Sequence, residues 1–225
     1  SCDWERTAFT MDEGYHKAVL RVFVDLYNKG YIYRDLRMVN WDVEAQTTVS
    51  NEEVIYADQD EISKLYKFQY SIKDSDEKVI IATQRPETIL GDAAIAVNPK
   101  DERFQHLIGK TALVPFVNRE IPIIADDYVE IEFGTGCLKV TPAHDPNDYE
   151  IGLRHNLEVI DTIGFDGNLN ENCGVPKYVG MERFKARKVM VKDLEEAGYY
   201  IGFEEFTTRI GRSERTNTVI EPKLS

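Results

Sequence analysis

The feature that most constrains the fold is a series of short apolar runs between residues 64 and 141, few of them followed by a helix. In "KLYKFQYSIKD", Tyr66, Phe68, Tyr70 and Ile72 alternate with polar residues, the two-residue period of a half-buried strand. The turn "SDEK" leads into Val79, Ile80 and Ile81, so residues 64–83 predict a hairpin. Further strands are expected at Ala94–Val97, Thr111–Val114, Glu120–Ala125 and Leu138–Thr141. Between them lie Pro and Gly turns and short helices near Pro86–Leu90 and Asp101–Leu107. Such a series argues against a doubly wound sheet. It predicts a mixed α/β fold with a β-barrel-like core and peripheral helices.

Three longer helices are expected. The first has Thr10 and Glu13 at capping-box spacing, an apolar face of Tyr15, Val19, Val22, Phe23, Leu26 and Tyr27, and Gly30 at its end. The second is Asp145–His155, with Asp145 as N-cap and Pro146 in the first position. The third is Arg183–Ala197, with Met190, Val191, Leu194 and Ala197 inward and Gly198 as terminator. Tyr31, Tyr33, Val39 and Val49 favour a ribbon of strands, and "YYIGFEEFTTRIGRSERT" a second ribbon.

Forty-two per cent apolar residues in 225 provide enough material for a core. No apolar run approaches the roughly 18 residues of a membrane span, and no signal-peptide pattern opens the chain. Cys2, Cys137 and Cys173 form no C-x-x-C pair, which argues against a disulfide framework and for a reducing, cytoplasmic setting. A net charge of −13 argues against a generally nucleic-acid-binding surface, so any such contact needs a local patch. Arg183, Lys185, Arg187, Lys188 and Lys192 make the most basic helix, suited to a phosphate backbone or simply to solvent. His16, His106, His144 and His155 show no H-x-x-x-H spacing, so no metal is expected; a metal-dependent hydrolase at His144 is the minority alternative.

Two stretches carry chemistry. In "GTGCLKVTPAHDPNDYE", strand alternation puts Lys139 and Thr141 on one face, with Asp145 and Asp148 on the first turn of the following helix. These residues fit a capped helix beside a solvated lysine, or a set converging on a small ligand with an amine and a hydroxyl. In "ATQRPETILGDAAIAVNP", Thr83, Arg85 and Thr88 lie where a strand ends and a helix starts at Pro86. The second stretch suits a phosphate, a carboxylate or a developing oxyanion, or again a capped helix with a surface arginine.

Together these stretches resemble the editing insertion of valyl-tRNA synthetases, within the class I aminoacyl-tRNA synthetases. "TQRPETILGDAAIAVNPKDERF" resembles the threonine-rich T-x-R-P-E-T segment, and "GTGCLKVTPAHDPNDYEIGLRH" the segment ending in H-D-x-x-D-Y. K-x-T-P-A-H favours the valyl over the isoleucyl branch. The resemblance divides the chain into an entry segment, 1–50, an editing domain, 51–205, and a return segment, 206–225. It implies hydrolysis of threonine mischarged onto valine tRNA. Asp148 would hold the α-ammonium, and Asp145, with Lys139 and Thr141, would read the threonine hydroxyl. Thr83, Arg85 and Thr88 would surround the ester and terminal adenosine, and His144 would support from behind. The implied partners are a tRNA acceptor end and the rest of a monomeric synthetase. Ligation of valine with ATP and magnesium would belong to that remainder, because H-I-G-H and K-M-S-K-S are absent here. Many relatives carry a zinc-binding C-P-x-C where this chain has Asp42 and Ala45, so no zinc and no cofactor is expected. A module that binds tRNA or an amino acid without hydrolysis remains the alternative. An apolar pocket rejects threonine's extra hydroxyl only about a hundredfold, a figure known for valyl enzymes rather than read from this chain.

Overall fold

The computed structural model describes residues 2–57 and 60–225, which fall into two compact units, residues up to Arg37 and Met38–Ser225. The first unit holds helix α1 (Glu13–Asn28). Its N-cap is Asp12, with no side-chain cap bond, so the expected box at Thr10 does not form: the helix starts too late for Thr10 to reach its free amides. Instead the Phe9 amide donates to the Asp12 carboxylate. Gly30 takes the left-handed conformation (φ +75°) expected of a helix terminator.

The second unit is built on β4 (Glu61–Ile72), β5 (Lys78–Thr83), β6 (Ala94–Val97), β7 (Thr111–Leu113), β8 (Glu120–Ala125) and β9 (Cys137–Val140). The β4–β5 hairpin pairs Tyr66 with Thr83, Phe68 with Ile81 and Tyr70 with Val79. From β4 the sheet runs through β7, β8 and β6 to β9, and β5 lies alongside β9 where it comes round on itself. The result is the nearly closed, barrel-like sheet expected from the sequence. β10 (Tyr200–Thr208) extends it along the free half of β4. Phe68, Tyr70, Ile72, Val79, Ile81, Ile95 and Ile123 fill the interior. β6 is buried on both faces: Ile95 and Val97 enter the barrel, while Ala94 and Ala96 meet Val140 and Ile151 of helix α2 (Pro146–His155). A third cluster sits under helix α3 (Arg183–Glu196), where Ala186 and Met190 meet Leu90, Ile163 and Tyr178. Leu194 and Val191 also face inward, but Ala197 is an exposed C-cap because the helix ends one residue before it.

A second sheet is made by β1 (Met38–Asp42), β2 (Thr47–Val49) and β12 (Glu221–Leu224), with β1 in the middle. β3 (Val54–Ile55) pairs with β11 (Arg212–Ser213). Tyr31 and Tyr33 are not in strands, because the ladder exists only where β12 and β2 flank the chain from Met38 on. No helix among the described residues is long and apolar enough to cross a membrane.

One glycine fixes how closely two functional stretches approach. A Cβ on Gly91 would lie 2.9 Å from the Ile160 carbonyl oxygen and 3.2 Å from the Thr141 methyl group. Gly91→Ala is therefore expected to destabilise the chain by about 1–3 kcal/mol, read as a lowered midpoint in urea. An unchanged midpoint would show that the segment yields freely.

Candidate functional site

All seven residues singled out by the sequence line one cavity of about 820 Å³: Thr83, Arg85, Thr88, Lys139, Thr141, Asp145 and Asp148. Four elements deliver them. β5 ends at Thr83, and Pro86 starts a tight 3-10 turn (Pro86–Gly91) that turns Thr88 back toward β9. β9 carries Lys139 and runs into Thr141. Asp145 caps α2, accepting from the Asn147 amide at 2.8 Å and the Asp148 amide at 3.1 Å, and so sets Asp148 at the cavity wall.

The centre is a buried polar cluster. Lys139 is 6% exposed, and its ammonium donates to Thr88 Oγ1 at 2.9 Å, Asp92 Oδ1 at 3.2 Å and Thr141 Oγ1. An ammonium has three protons, so all are committed. Thr141 Oγ1 donates to Asp92 Oδ1 at 2.6 Å, and the buried Tyr70 hydroxyl donates to Asp92 Oδ2 at 2.6 Å. Burial, then Asp92, raises the Tyr70 pKa, so its proton stays in place. Thr141 Oγ1 thus gives its one proton to Asp92 and accepts from Lys139, which leaves a single lone pair for a ligand. The cluster offers an acceptor, which suits a hydroxyl and not a methyl group.

Beside it, Asp148 is 6% exposed and accepts the Thr141 amide at 2.8 Å. Burial pushes its pKa up to about 7, with Asp145 and Asp92 adding to the rise and Lys139 and the Thr141 amide opposing it. A carboxylate so desolvated gains most from an arriving cation.

On the other side, Arg85 is clamped. Its Nε donates to Glu87 at 3.1 Å, Nη1 to the His144 carbonyl at 3.0 Å, and Nη2 to both oxygens of Glu221 at 2.7 and 2.8 Å. Only one of the two Nη1 protons is used by these bonds, so the other is left on Nη1. Both carboxylates are buried, and both are shared with α3. Arg187 donates to Glu87 at 2.7 Å through Nε and through Nη2, and Arg183 donates to Glu221 at 2.9 Å. Arg183 and Arg187 thus face inward as counter-charges to buried carboxylates, whereas Lys185, Lys188 and Lys192 are exposed.

His144 stands behind the pocket. The Thr162 amide donates to its Nε2 at 3.0 Å, which places the ring proton on Nδ1, 3.7 Å from Glu221. Burial lowers its pKa, so it stays neutral. Among the described residues no group of three potential metal-ligating side chains is found. The two positions where the resemblance would place zinc-binding cysteines do not suit a metal: Ala45 has no donor, and Asp42 accepts the Glu44 and Ala45 amides and the Thr216 hydroxyl. Cys137 and Cys173 are buried free thiols, and burial pushes Cys137 up to about 12.

Sequence reasoning missed Tyr70, Asp92, Glu87 and Glu221 as parts of this site. Asp92, four residues after Thr88 in "TILGD", had a local signal. Glu221 had none, because only the pairing of β12 with β1 brings it here.

A barrel whose rim carries a polar pocket between a T-x-R-P-E-T turn and an H-D-x-x-D-Y helix defines a class. The description "tRNA synthetases class I (I, L, M and V)" matches residues 1–209, and the chain belongs to that family. The fold is shared with LeuRS of Agrobacterium radiobacter K84, solved as a ternary complex with tRNA and LeuAMS. Identity there is 19% and the TM-score 0.50, covering 95% of this chain and 34% of that one. Within the family the chain is similar to valine–tRNA ligases, at 57% identity to that of Bacteroides fragilis and 56% to that of Parabacteroides distasonis. Each match covers 100% of this chain and 25% of the relative. The Oceanobacillus iheyensis ligase is 56% identical over 99% of the chain, again 25% of the relative. The chain therefore spans about a quarter of the length of the curated relatives it matches, and the valyl resemblance read from its sequence is borne out.

Proposed function

We propose that this segment is the post-transfer editing domain of a cytoplasmic valine–tRNA ligase, hydrolysing the ester between threonine and valine tRNA. The observation that carries the reading is the Lys139–Thr88–Thr141–Asp92 cluster, in which Thr141 Oγ1 keeps a spare acceptor beside a cavity that Asp148 also lines. Threonine's hydroxyl donates to Thr141 Oγ1, while its α-ammonium pairs with Asp148. Valine presents a methyl group instead and leaves the buried acceptor unpaired. The remaining Nη1 proton of Arg85, with Thr83 and Thr88, addresses the ester and the terminal adenosine.

Water attacks the ester carbonyl, the bond to the ribose oxygen breaks, and the departing oxygen takes up a proton. Asp148, once paired with an ammonium, is a poor base, so rate comes from placing the water and steadying the carbonyl oxygen. The tRNA brings its single-stranded end over the exposed rim of the cavity, where Tyr128 and Phe133 offer ring faces for stacking.

The test is deacylation of threonyl- and valyl-tRNA by the full-length synthetase carrying this segment. A pocket built to bind a hydroxyl is expected to favour the threonyl ester by about 10⁴-fold in kcat/KM. Equal rates for the two esters would refute the assignment, and binding of both without turnover would favour the module reading.

A further inference from the structure

Charged residues at one side of the cavity form a continuous ladder, with Glu87 behind the wall: Arg187, Glu87, Arg85, Glu221 and Arg183, each in contact with the next. The carboxylate at its centre is the unexpected member. Glu221 lies on β12, 136 positions along the chain from Arg85, and is 1% exposed. It takes both Nη2 bonds of Arg85, accepts from Arg183, and faces the His144 ring. Arg183 is anchored in turn to the Val219 carbonyl just ahead of the same strand. Two residues further on, Lys223 is 1% exposed and donates to Asp161 Oδ2 at 2.5 Å and to the Ile163 carbonyl. β12 therefore drives two alternate side chains, of opposite charge, into the body of the domain while its backbone pairs with β1.

Without Glu221, Arg85 would keep only Glu87 and one carbonyl, and its guanidinium could swing out of the orientation that leaves an Nη1 proton to the cavity. Seating Nη2 between the two oxygens of one carboxylate, with Nε on a second carboxylate and Nη1 on a carbonyl, fixes the guanidinium plane as well as its position. We propose that Glu221 is a positioning residue for the editing reaction, and that the pocket is competent only when β12 is docked against it. The inference rests on the editing reading above and extends it to residues 219–223, which that reading does not use.

The experiment is a kinetic cycle in the full-length synthetase carrying this segment, with threonyl-tRNA as substrate. Glu221→Gln is expected to lower kcat/KM for deacylation about 10–100-fold, as displaced catalytic groups do. In an Arg85→Ala background the same change is expected to cost less than about twofold, since Glu221 acts through Arg85. A role confined to stability would produce the same loss in both backgrounds. Should Glu221→Gln fail to fold, Glu221→Asp keeps the charge, shortens the reach by one methylene, and is expected to lose about tenfold. Wild-type rates in either folded variant, or equal losses with and without Arg85, overturn the inference and leave the editing reading intact. A wild-type enzyme that leaves threonyl-tRNA intact overturns the reading itself, and the inference with it.

Discussion

Asp148→Asn is expected to lower hydrolysis of threonyl-tRNA at least about 30-fold while making the domain more stable. The two effects have one origin. In the free protein the carboxylate is buried, beside Asp145 and Asp92, and its pKa is raised to about 7. In the unfolded chain it returns to its ordinary value near 4. Below pH 4 both states hold the proton and the group costs nothing. Between pH 4 and 7 only the unfolded chain ionises, so the folded state loses up to about 1.4 kcal/mol per pH unit. Above pH 7 the penalty is constant, at a few kcal/mol. Asparagine removes it and can still accept the Thr141 amide, so the variant's advantage should be full at pH 8 and vanish at pH 4. Denaturant melts at the two pH values measure it.

Function moves the opposite way, because an amide cannot pair with the substrate's ammonium. Loss of one partner of a buried charge pair costs about 2–5 kcal/mol, or at least about 30-fold in kcat/KM. Ligand binding should show the same linkage. An ammonium ligand selects ionised Asp148, so a non-hydrolysable threonyl-adenosine should bind more tightly from pH 6 to 8 and release a proton at pH 6. Calorimetry in buffers of different ionisation enthalpy reports that proton. A variant that keeps its rate, or an affinity flat with pH, would remove Asp148 from the anchoring role.

What the sequence showed follows from the range of the interactions involved. The β4–β5 hairpin was legible because Phe68, Tyr70 and Ile72 alternate with polar residues across one short turn, and each pairing is local. The α2 cap was legible because Asp145 bonds amides only two and three residues away. Arg183 and Arg187 were misread as outward charges. Nothing in a helix's own sequence says that a buried glutamate awaits on a neighbouring element. Asp92 was passed over for a related reason: its partners Tyr70, Lys139 and Thr141 converge only when β4, β6 and β9 have joined one sheet. The residues that line the cavity were thus visible in motifs, whereas the bonds that hold them in place were visible only in the fold.

Asp92 is the residue whose loss should separate support of the fold from recognition. Asp92→Asn leaves the Lys139 ammonium buried without its hydrogen-bonded counter-charge, and removing one partner of a buried ion pair costs about 3–5 kcal/mol. Replacing both partners, as in Asp92→Asn with Lys139→Met, takes away the stranded charge and is expected to recover at least half of that loss. The amide oxygen introduced by Asp92→Asn can still accept a hydroxyl proton from its neighbours, so the wall stays closed. Recognition should not recover. Without the ammonium, nothing compels Thr141 Oγ1 to accept on one side and donate on the other, and its hydroxyl is free to rotate. The pocket then loses its fixed acceptor. The preference for threonyl over valyl ester should fall by about 10–100-fold in the double variant, the equivalent of one buried hydrogen bond. If discrimination returned together with stability, the pair would be part of the scaffold alone. If stability returns and discrimination does not, the cluster reads the hydroxyl through Thr141, and Asp92 with Lys139 sets the direction in which it reads.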